Sequence, residues 1–193
     1  NRNLMAMKEE FIITHVSNFR PVKRIEDVIL VFNKILDKHP AVLIMIGEGP
    51  DRIKAERLSK ELGIYSNIKF LGNSIEIDRV LCMSDLFLLP SKQESFGLAA
   101  LEAMINKTPV ISSNAVGLPE VNIHGVSGYV SEVGDVDKMS EYALDILKDT
   151  STLNQFKEHA NRAALAFDLP KILPLYESIY EKAYKARKQN SEL

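Results

Sequence analysis

The stretch PSKQESFGLAALEAM, residues 90–104, carries two carboxylates eight positions apart, Glu94 and Glu102, around Ser95-Phe96-Gly97. Glu94 falls in a loop, and Glu102 lies in a helical run with hardly another polar residue. A carboxylate in so apolar a helix needs hydrogen-bond donors, and the hydroxyls of a ribose would supply them. At the start of that helix the amides of Ser95, Phe96, Gly97 and Leu98 can converge on an anion, and Gly97 admits close backbone approach by a ligand. The plain alternative is an exposed loop acid and a solvated helix position paired with a lysine. Upstream, SNFRPVKR sets Arg20, Lys23 and Arg24 beside another helix start, an anion site suited to a diphosphate or else a solvated basic turn. GEGPD (47–51) offers two glycines for a tight turn or a ligand, but Arg52 breaks the G-x-G-x-x-G dinucleotide pattern.

These residues need elements to hold them, and the chain supplies a regular alternation. FIITHVS (11–17), AVLIMIG (41–47), NIKFLG (67–72), DLFLLP (85–90), PVISS (109–113) and SGYVSEV (127–133) read as strands. The first two are apolar on both faces, as strands covered by helices above and below must be. Between them Ile25, Val28, Ile29, Phe32 and Ile35 recur at helical spacing behind Glu26 and Asp27, whose charges suit a helix N-terminus. Further helices are expected over 51–63, with Asp51 capping and Gly63 stopping it, around 76–83, from Gly97 to Ile105 with Leu98, Leu101 and Ile105 on its apolar face, and over 135–149, 151–166 and 171–188. The expected fold is a doubly wound, Rossmann-like α/β sheet of about six parallel strands, with function in the loops after residues 17, 47, 72, 90 and 113.

Other chemistry is poorly supported. Asp135-Val136-Asp137 looks like a metal-binding Asp-x-Asp but directly precedes an amphipathic helix, which makes it a cap. HGVSG (124–128) lacks nucleophile-elbow spacing. No Walker A loop occurs, and the four histidines have no metal-ligand spacing. His15, near the end of the first strand, is the histidine placed to touch a ligand. No metal or cofactor is expected.

With 193 residues, 46% hydrophobic and 26% charged, the chain can build one substantial core. A net charge of −2 gives no footprint for nucleic acid or anionic membrane. The single Cys82 and the lack of a bilayer-length apolar run fit a cytoplasmic protein. Because the sequence starts Asn1-Arg2-Asn3, it is expected to be a piece of a longer protein.

ESFGLAALE resembles the Glu-x7-Glu motif of the family-four retaining glycosyltransferases, and HVSNFRPVKR, GEGP, FLG, NAVGLPE and HGVSGYV resemble that family's companion blocks in matching order, over about residues 11–180. The resemblance implies the second domain of a GT-B enzyme, which holds a UDP-sugar donor while an N-terminal domain brings a small-molecule acceptor. It assigns Glu94 to the donor sugar, Ser95, Phe96, Gly97 and Leu98 to sugar and diphosphate, Glu102 to the ribose, and Lys23 to the diphosphate. Ser17, Asn18, Gly47 and Glu48 fall in donor-binding blocks, and Leu71 lies near the uracil. Asn18 stands where the family has an arginine, and Arg20 is expected to replace its charge, so Glu94, Lys23 and Arg20 form the expected catalytic group. Residues 1–168 are then the donor domain. The helix over 169–193, with Leu175, Tyr176, Ile179, Tyr180 and Tyr184, is expected to pack towards the N-terminal domain or to swap between two copies as a homodimer, the plain alternative being a terminal helix packed on its own sheet. A GT-B epimerase or hydrolase, and a non-catalytic flavodoxin-like module, are the rival classes.

Overall fold

The computed structural model describes residues 2–73 and 76–190, with side chains as far as Tyr184. Six parallel strands form one sheet: β1 (Phe11–Val16), β2 (Ala41–Ile46), β3 (Ile68–Gly72), β4 (Leu86–Leu89), β5 (Val110–Ser113) and β6 (Gly128–Ser131). Their order across the sheet is β3-β2-β1-β4-β5-β6. The chain winds outward from β1 to β3, returns to lay β4 on the other side of β1, and winds outward again. β1 and β4 therefore flank the switch point, where crevices open beyond the carboxyl ends of such sheets. Their register shows the opening. β1 pairs with β2 along its whole length, from Phe11↔Ala41 to Val16↔Ile46, but with β4 only at Ile13↔Leu86 and Thr14↔Phe87.

Every residue of β2, β4 and β5 is buried. That is the signature of strands sandwiched between helical layers, and it explains their near-continuous apolar runs. The helices are α1 (Ile25–Leu36), α2 (Arg52–Glu61), α3 (Ile77–Leu81), α4 (Leu98–Ile105), α5 (Leu118–Val121), α6 (Val136–Leu147), α7 (Thr150–Ala164) and α8 (Leu169–Asn190). α1 buries Ile25, Val28, Ile29, Phe32 and Ile35, the face its periodicity predicts, against Leu43, Met45 and the α6 residues Met139 and Ala143. Removing the Phe32 ring would cost about 3–5 kcal/mol.

Three local expectations fail. Asp51 does not cap α2 through its side chain; its carboxylate pairs with Lys54 at 2.7 Å. The buried face of α4 is Ala100, Ala103 and Met104, while Leu98 is 64% and Ile105 43% exposed. Small side chains let α4 lie close to α7, which offers Ala160 and Ala164 in the same cluster. The larger residues point away from the sheet. Leu98 and Leu101 line an apolar groove of about 450 Å³ with Phe96, Phe167, Leu175 and Ile179. α8 borders it but leaves Tyr180 and Tyr184 more than 70% exposed. Third, His15 is wholly buried rather than placed towards a ligand.

At the opposite end of the sheet, the buried Asp85 carboxylate accepts from Arg2 at 2.8 Å, from Lys157 at 2.7 Å and from the Ile12 amide at 3.0 Å. It ties the N-terminal segment, β1 and α7 together, and no motif in the sequence marks it. Among the described residues, no helix is long and apolar enough to cross a membrane.

Candidate donor site

Two loops meet at the switch point. The β1 loop leaves the sheet at Ser17, whose amide donates to the Ile46 carbonyl at 3.1 Å. It runs on through a 3-10 turn at Pro21–Lys23. Arg24 then takes a left-handed conformation, φ 52° and ψ 52°, immediately before α1. The β4 loop runs from Pro90 to Gly97. Its Lys92 amide donates to the Val22 carbonyl at 2.7 Å, which stitches the two loops together.

Across that seam Lys23 Nζ donates to Glu94 Oε2 at 2.6 Å, with both side chains more than four-fifths buried. The strand order alone brings together two residues 71 positions apart. The three cations of SNFRPVKR are not equivalent. Arg24 is bound through two guanidinium nitrogens to Asp27 of its own helix, at 2.5 and 3.1 Å. Arg20 is exposed and makes no ion pair among the described residues. Arg20 is thus the cation of this loop without an ion pair among the described residues, and Lys23 the one at the seam between the two loops.

The amides of Ser95, Phe96, Gly97 and Leu98 find no hydrogen-bond acceptor among the described residues. They precede or open α4, where a helix presents unpaired donors and the positive end of its dipole. Gly97 adopts φ 94°, a left-handed conformation, and a Cβ there would lie 2.7 Å from Leu118 Cδ2. Gly97 is therefore needed for its turn and for close packing on α5. Gly117, whose added Cβ would sit 2.4 Å from the Ser95 carbonyl oxygen, supports the same loop from behind. The segment after β5 is thus a buttress of the β4 loop, a role the sequence motif NAVGLPE does not reveal by itself.

The remaining candidates lie on other elements. Gly47 takes φ 129° and presses on β1: its amide donates to the Gly72 carbonyl at 2.8 Å, and a Cβ would fall 1.8 Å from the Ser17 carbonyl oxygen. The close approach that GEG provides is to the protein's own backbone. Glu48 is exposed and ion-paired with Arg52, whose guanidinium also holds Glu56 and lies 5.5 Å from the centre of the Phe70 ring. Leu71 is 38% exposed at the end of β3, and Asn18 is exposed. Glu102 stands on the exposed side of α4, and no side chain or amide pairs with its carboxylate among the described residues. Partial desolvation, and secondarily the like charge of Asp78 on α3, push its pKa above the ordinary glutamate value. Asp135 is a cap, accepting from the Lys138 amide at 2.9 Å, and Asp137 pairs with Lys34.

His15 explains its own burial. Its Nδ1 lies 2.8 Å from the Leu88 carbonyl oxygen and its Nε2 2.7 Å from Ser17 Oγ, between the rings of Phe19 and Phe87. Burial drives its pKa down to about 4, against the hydrogen bond to Leu88 and with help from Lys23.

An open, doubly wound parallel sheet with a lysine–carboxylate pair and free helix-start amides at its switch point defines the Rossmann-like class found in GT-B glycosyltransferases. The chain belongs to the glycosyl transferases group 1, whose family profile matches residues 2–163. It is 39% identical over 187 residues to the N-acetyl-alpha-D-glucosaminyl L-malate synthase of Bacillus anthracis, a match covering 93% of this chain and 49% of that protein. The chain therefore spans about half the length of that relative. A crystal structure of Anabaena Alr3699/HepE in complex with UDP-glucose superposes with a TM-score of 0.78 at 25% identity, over 89% of this chain and 49% of the other. S. aureus TarM shares the fold, with a TM-score of 0.81 at 23% identity, over 91% of this chain and 37% of TarM.

Proposed function

We propose that this chain is the donor-binding half of a retaining hexosyltransferase that moves N-acetylglucosamine from UDP-N-acetylglucosamine to L-malate in the cytoplasm. The observation that carries the donor half is the joining of the β1 and β4 loops by Lys23 and Glu94, next in the chain to the unpaired amides of Ser95 to Leu98. Lys23 and Arg20 supply positive charge for a diphosphate, and the amides add donors that need no reorganisation as charge builds on the leaving group. Glu94 offers an acceptor for sugar hydroxyls beside the phosphate-facing lysine. Glu102, exposed and without a partner among the described residues, has lone pairs for the two ribose hydroxyls. The UDP-glucose bound to HepE supports the nucleotide, and the malate synthase relative supports the sugar and acceptor.

In this reading the bond from the anomeric carbon to the diphosphate breaks as the acceptor hydroxyl oxygen bonds to the same face, its proton passing to the departing diphosphate oxygen, with no metal invoked. The acceptor site belongs to a partner domain packed against α8 and the crevice. Calorimetry tests the donor half. UDP is expected to bind, FMN is not, and Glu102→Ala is expected to weaken UDP about tenfold, the worth of one hydrogen bond to a charged group. UDP binding that ignores the Glu102 change would undo the ribose assignment. This chain by itself is expected to bind UDP-N-acetylglucosamine but to turn over little; rapid transfer to malate by the 193 residues alone would overturn the half-site reading.

A further inference from the structure

His15 is a titratable side chain at the switch point that the proposed reaction does not use. It is fully buried, yet both its nitrogens are engaged, one by strand β4 and the other by the start of the β1 loop. Leu88 leads through Leu89 and Pro90 into the loop carrying Glu94. Ser17 opens the loop carrying Lys23. The β1–β4 backbone ladder ends at Thr14↔Phe87, so the imidazole bridges the two strands just where their pairing stops.

The partners also fix which nitrogen carries the proton. A carbonyl oxygen only accepts, so Nδ1, facing Leu88, must be the donor. A neutral ring then has a bare lone pair on Nε2, and the atom that faces it is Ser17 Oγ. Burial with a pKa near 4 keeps the ring neutral at physiological pH. The Ser17 hydroxyl has one hydrogen. The rival acceptor, the Asn18 carbonyl, is 3.2 Å away, against 2.7 Å for the imidazole. The hydrogen is therefore spent on the imidazole, and what Ser17 presents outward is lone pairs. Its backbone cannot drift to change this, because its amide is held by Ile46 and its carbonyl is pressed by Gly47.

We propose that His15 is a positioning residue of the donor site: it orients the half-buried Ser17 hydroxyl as an obligate hydrogen-bond acceptor, suited to a hydroxyl or amide hydrogen of the donor sugar and unsuited to phosphate oxygen. The proposal rests on the reading of the crevice as a sugar-nucleotide site. It places Ser17 on the sugar side, because phosphate oxygens are acceptors and gain nothing from a second acceptor. It also distinguishes His15 from a core histidine whose only task is packing.

The test compares UDP with UDP-N-acetylglucosamine by calorimetry on the full chain, for wild type, Ser17→Ala, His15→Asn and the double variant. Asn at position 15 retains a donor for the Leu88 carbonyl but withdraws the acceptor from Ser17. Ser17→Ala is expected to weaken the sugar nucleotide about fivefold while leaving UDP unchanged. His15→Asn is expected to produce the same loss of preference, and the double variant to be no worse than either single one. Nitrogen NMR of the wild type is expected to show the Nδ1-protonated tautomer. Equal losses for UDP and its sugar, additive effects, or the other tautomer overturn the proposal while leaving the donor-site reading intact. A wild type that binds neither ligand overturns that reading and, with it, the proposal. If His15→Asn does not fold, Ser17→Ala and the tautomer decide, and undiminished affinity of Ser17→Ala for the sugar nucleotide overturns the proposal.

Discussion

Lys23 Nζ lies 2.6 Å from Glu94 Oε2 across the gap between the β1 and β4 loops, so two groups assigned to different parts of a ligand are bound to each other in the free protein. A diphosphate arriving at Lys23 must share or displace that carboxylate. With both side chains more than four-fifths buried, parting the pair costs more than the ~1 kcal/mol typical of an exposed one.

Removing the competitor is therefore expected to help UDP. Glu94→Gln should bind UDP at least about fivefold more tightly, because the diphosphate no longer has to part a largely buried pair. Lys23→Ala should lose about tenfold or more, with a weaker dependence on salt than wild type. Calorimetry at two ionic strengths checks both. A Glu94→Gln protein that binds UDP much more weakly than wild type would show that Glu94 holds the nucleotide rather than competing with it.

The two glycines that press on backbone and side chain give a second contrast. In Gly97→Ala, a left-handed residue costs about 1–2 kcal/mol, and the contact is with the movable end of Leu118. In Gly47→Ala, the new Cβ meets the carbonyl oxygen of Ser17, a residue that β2 holds through its amide. Denaturant melts are expected to rank Gly47→Ala as the more destabilising by at least about 1 kcal/mol, since backbone overlap cannot be relieved by a rotamer change. Equal losses would mean that the β1 loop yields easily, contrary to its hydrogen bonding.

These cases show which features were legible in the sequence. All six strands and the buried face of α1 follow from β-branched runs and the spacing of Ile25, Val28, Ile29, Phe32 and Ile35, because burial on a sheet selects those patterns. α4 misled because nearly every residue in LAALEAMI is apolar: periodicity has no contrast to work with, and the small Ala100 and Ala103 take the tight contact that Leu98 and Ile105 seemed fit for. His15 misled for a related reason. A strand buried on both faces gives its residues no outward side, so nearness to the strand end does not mean nearness to a ligand. The pairing of Lys23 with Glu94 and the triple hold on Asp85 depend on strand order and helix placement, which no local pattern encodes.

His15 also sets a pH dependence of stability. Its pKa is about 4 in the folded state against 6.5 for the free group, so between those values the unfolded chain binds the extra proton. Stability therefore falls as pH drops from 6.5 towards 4 and this loss levels off below, reaching about 3 kcal/mol at most. His15→Asn is expected to remove this component of the slope in melts between pH 7 and 4. An identical slope in the two proteins would show that His15 titrates normally, and hence that its burial is not maintained in solution.

Glu102 carries the opposite sign. Its pKa is raised, first by desolvation and then by Asp78, so its charge slightly disfavours the folded state once pH exceeds its ordinary value, and that penalty is relieved as pH falls through the range. Ligand binding runs the other way, because ribose hydroxyls are better donors to a carboxylate than to a neutral acid. UDP affinity is therefore expected to start falling on acidification above the ordinary glutamate range. Asp78→Asn removes the secondary cause and should move that onset to lower pH. Glu102→Gln should bind UDP weakly, by about tenfold, and without this pH dependence, since no proton is left to gain. Calorimetry from pH 7.5 to 4.5 on the three proteins, with melts run alongside to exclude unfolding, separates the contributions. If Asp78→Asn leaves the onset unmoved while Glu102→Gln abolishes it, desolvation alone sets the shift; if Glu102→Gln keeps the full pH profile, another group holds the ribose.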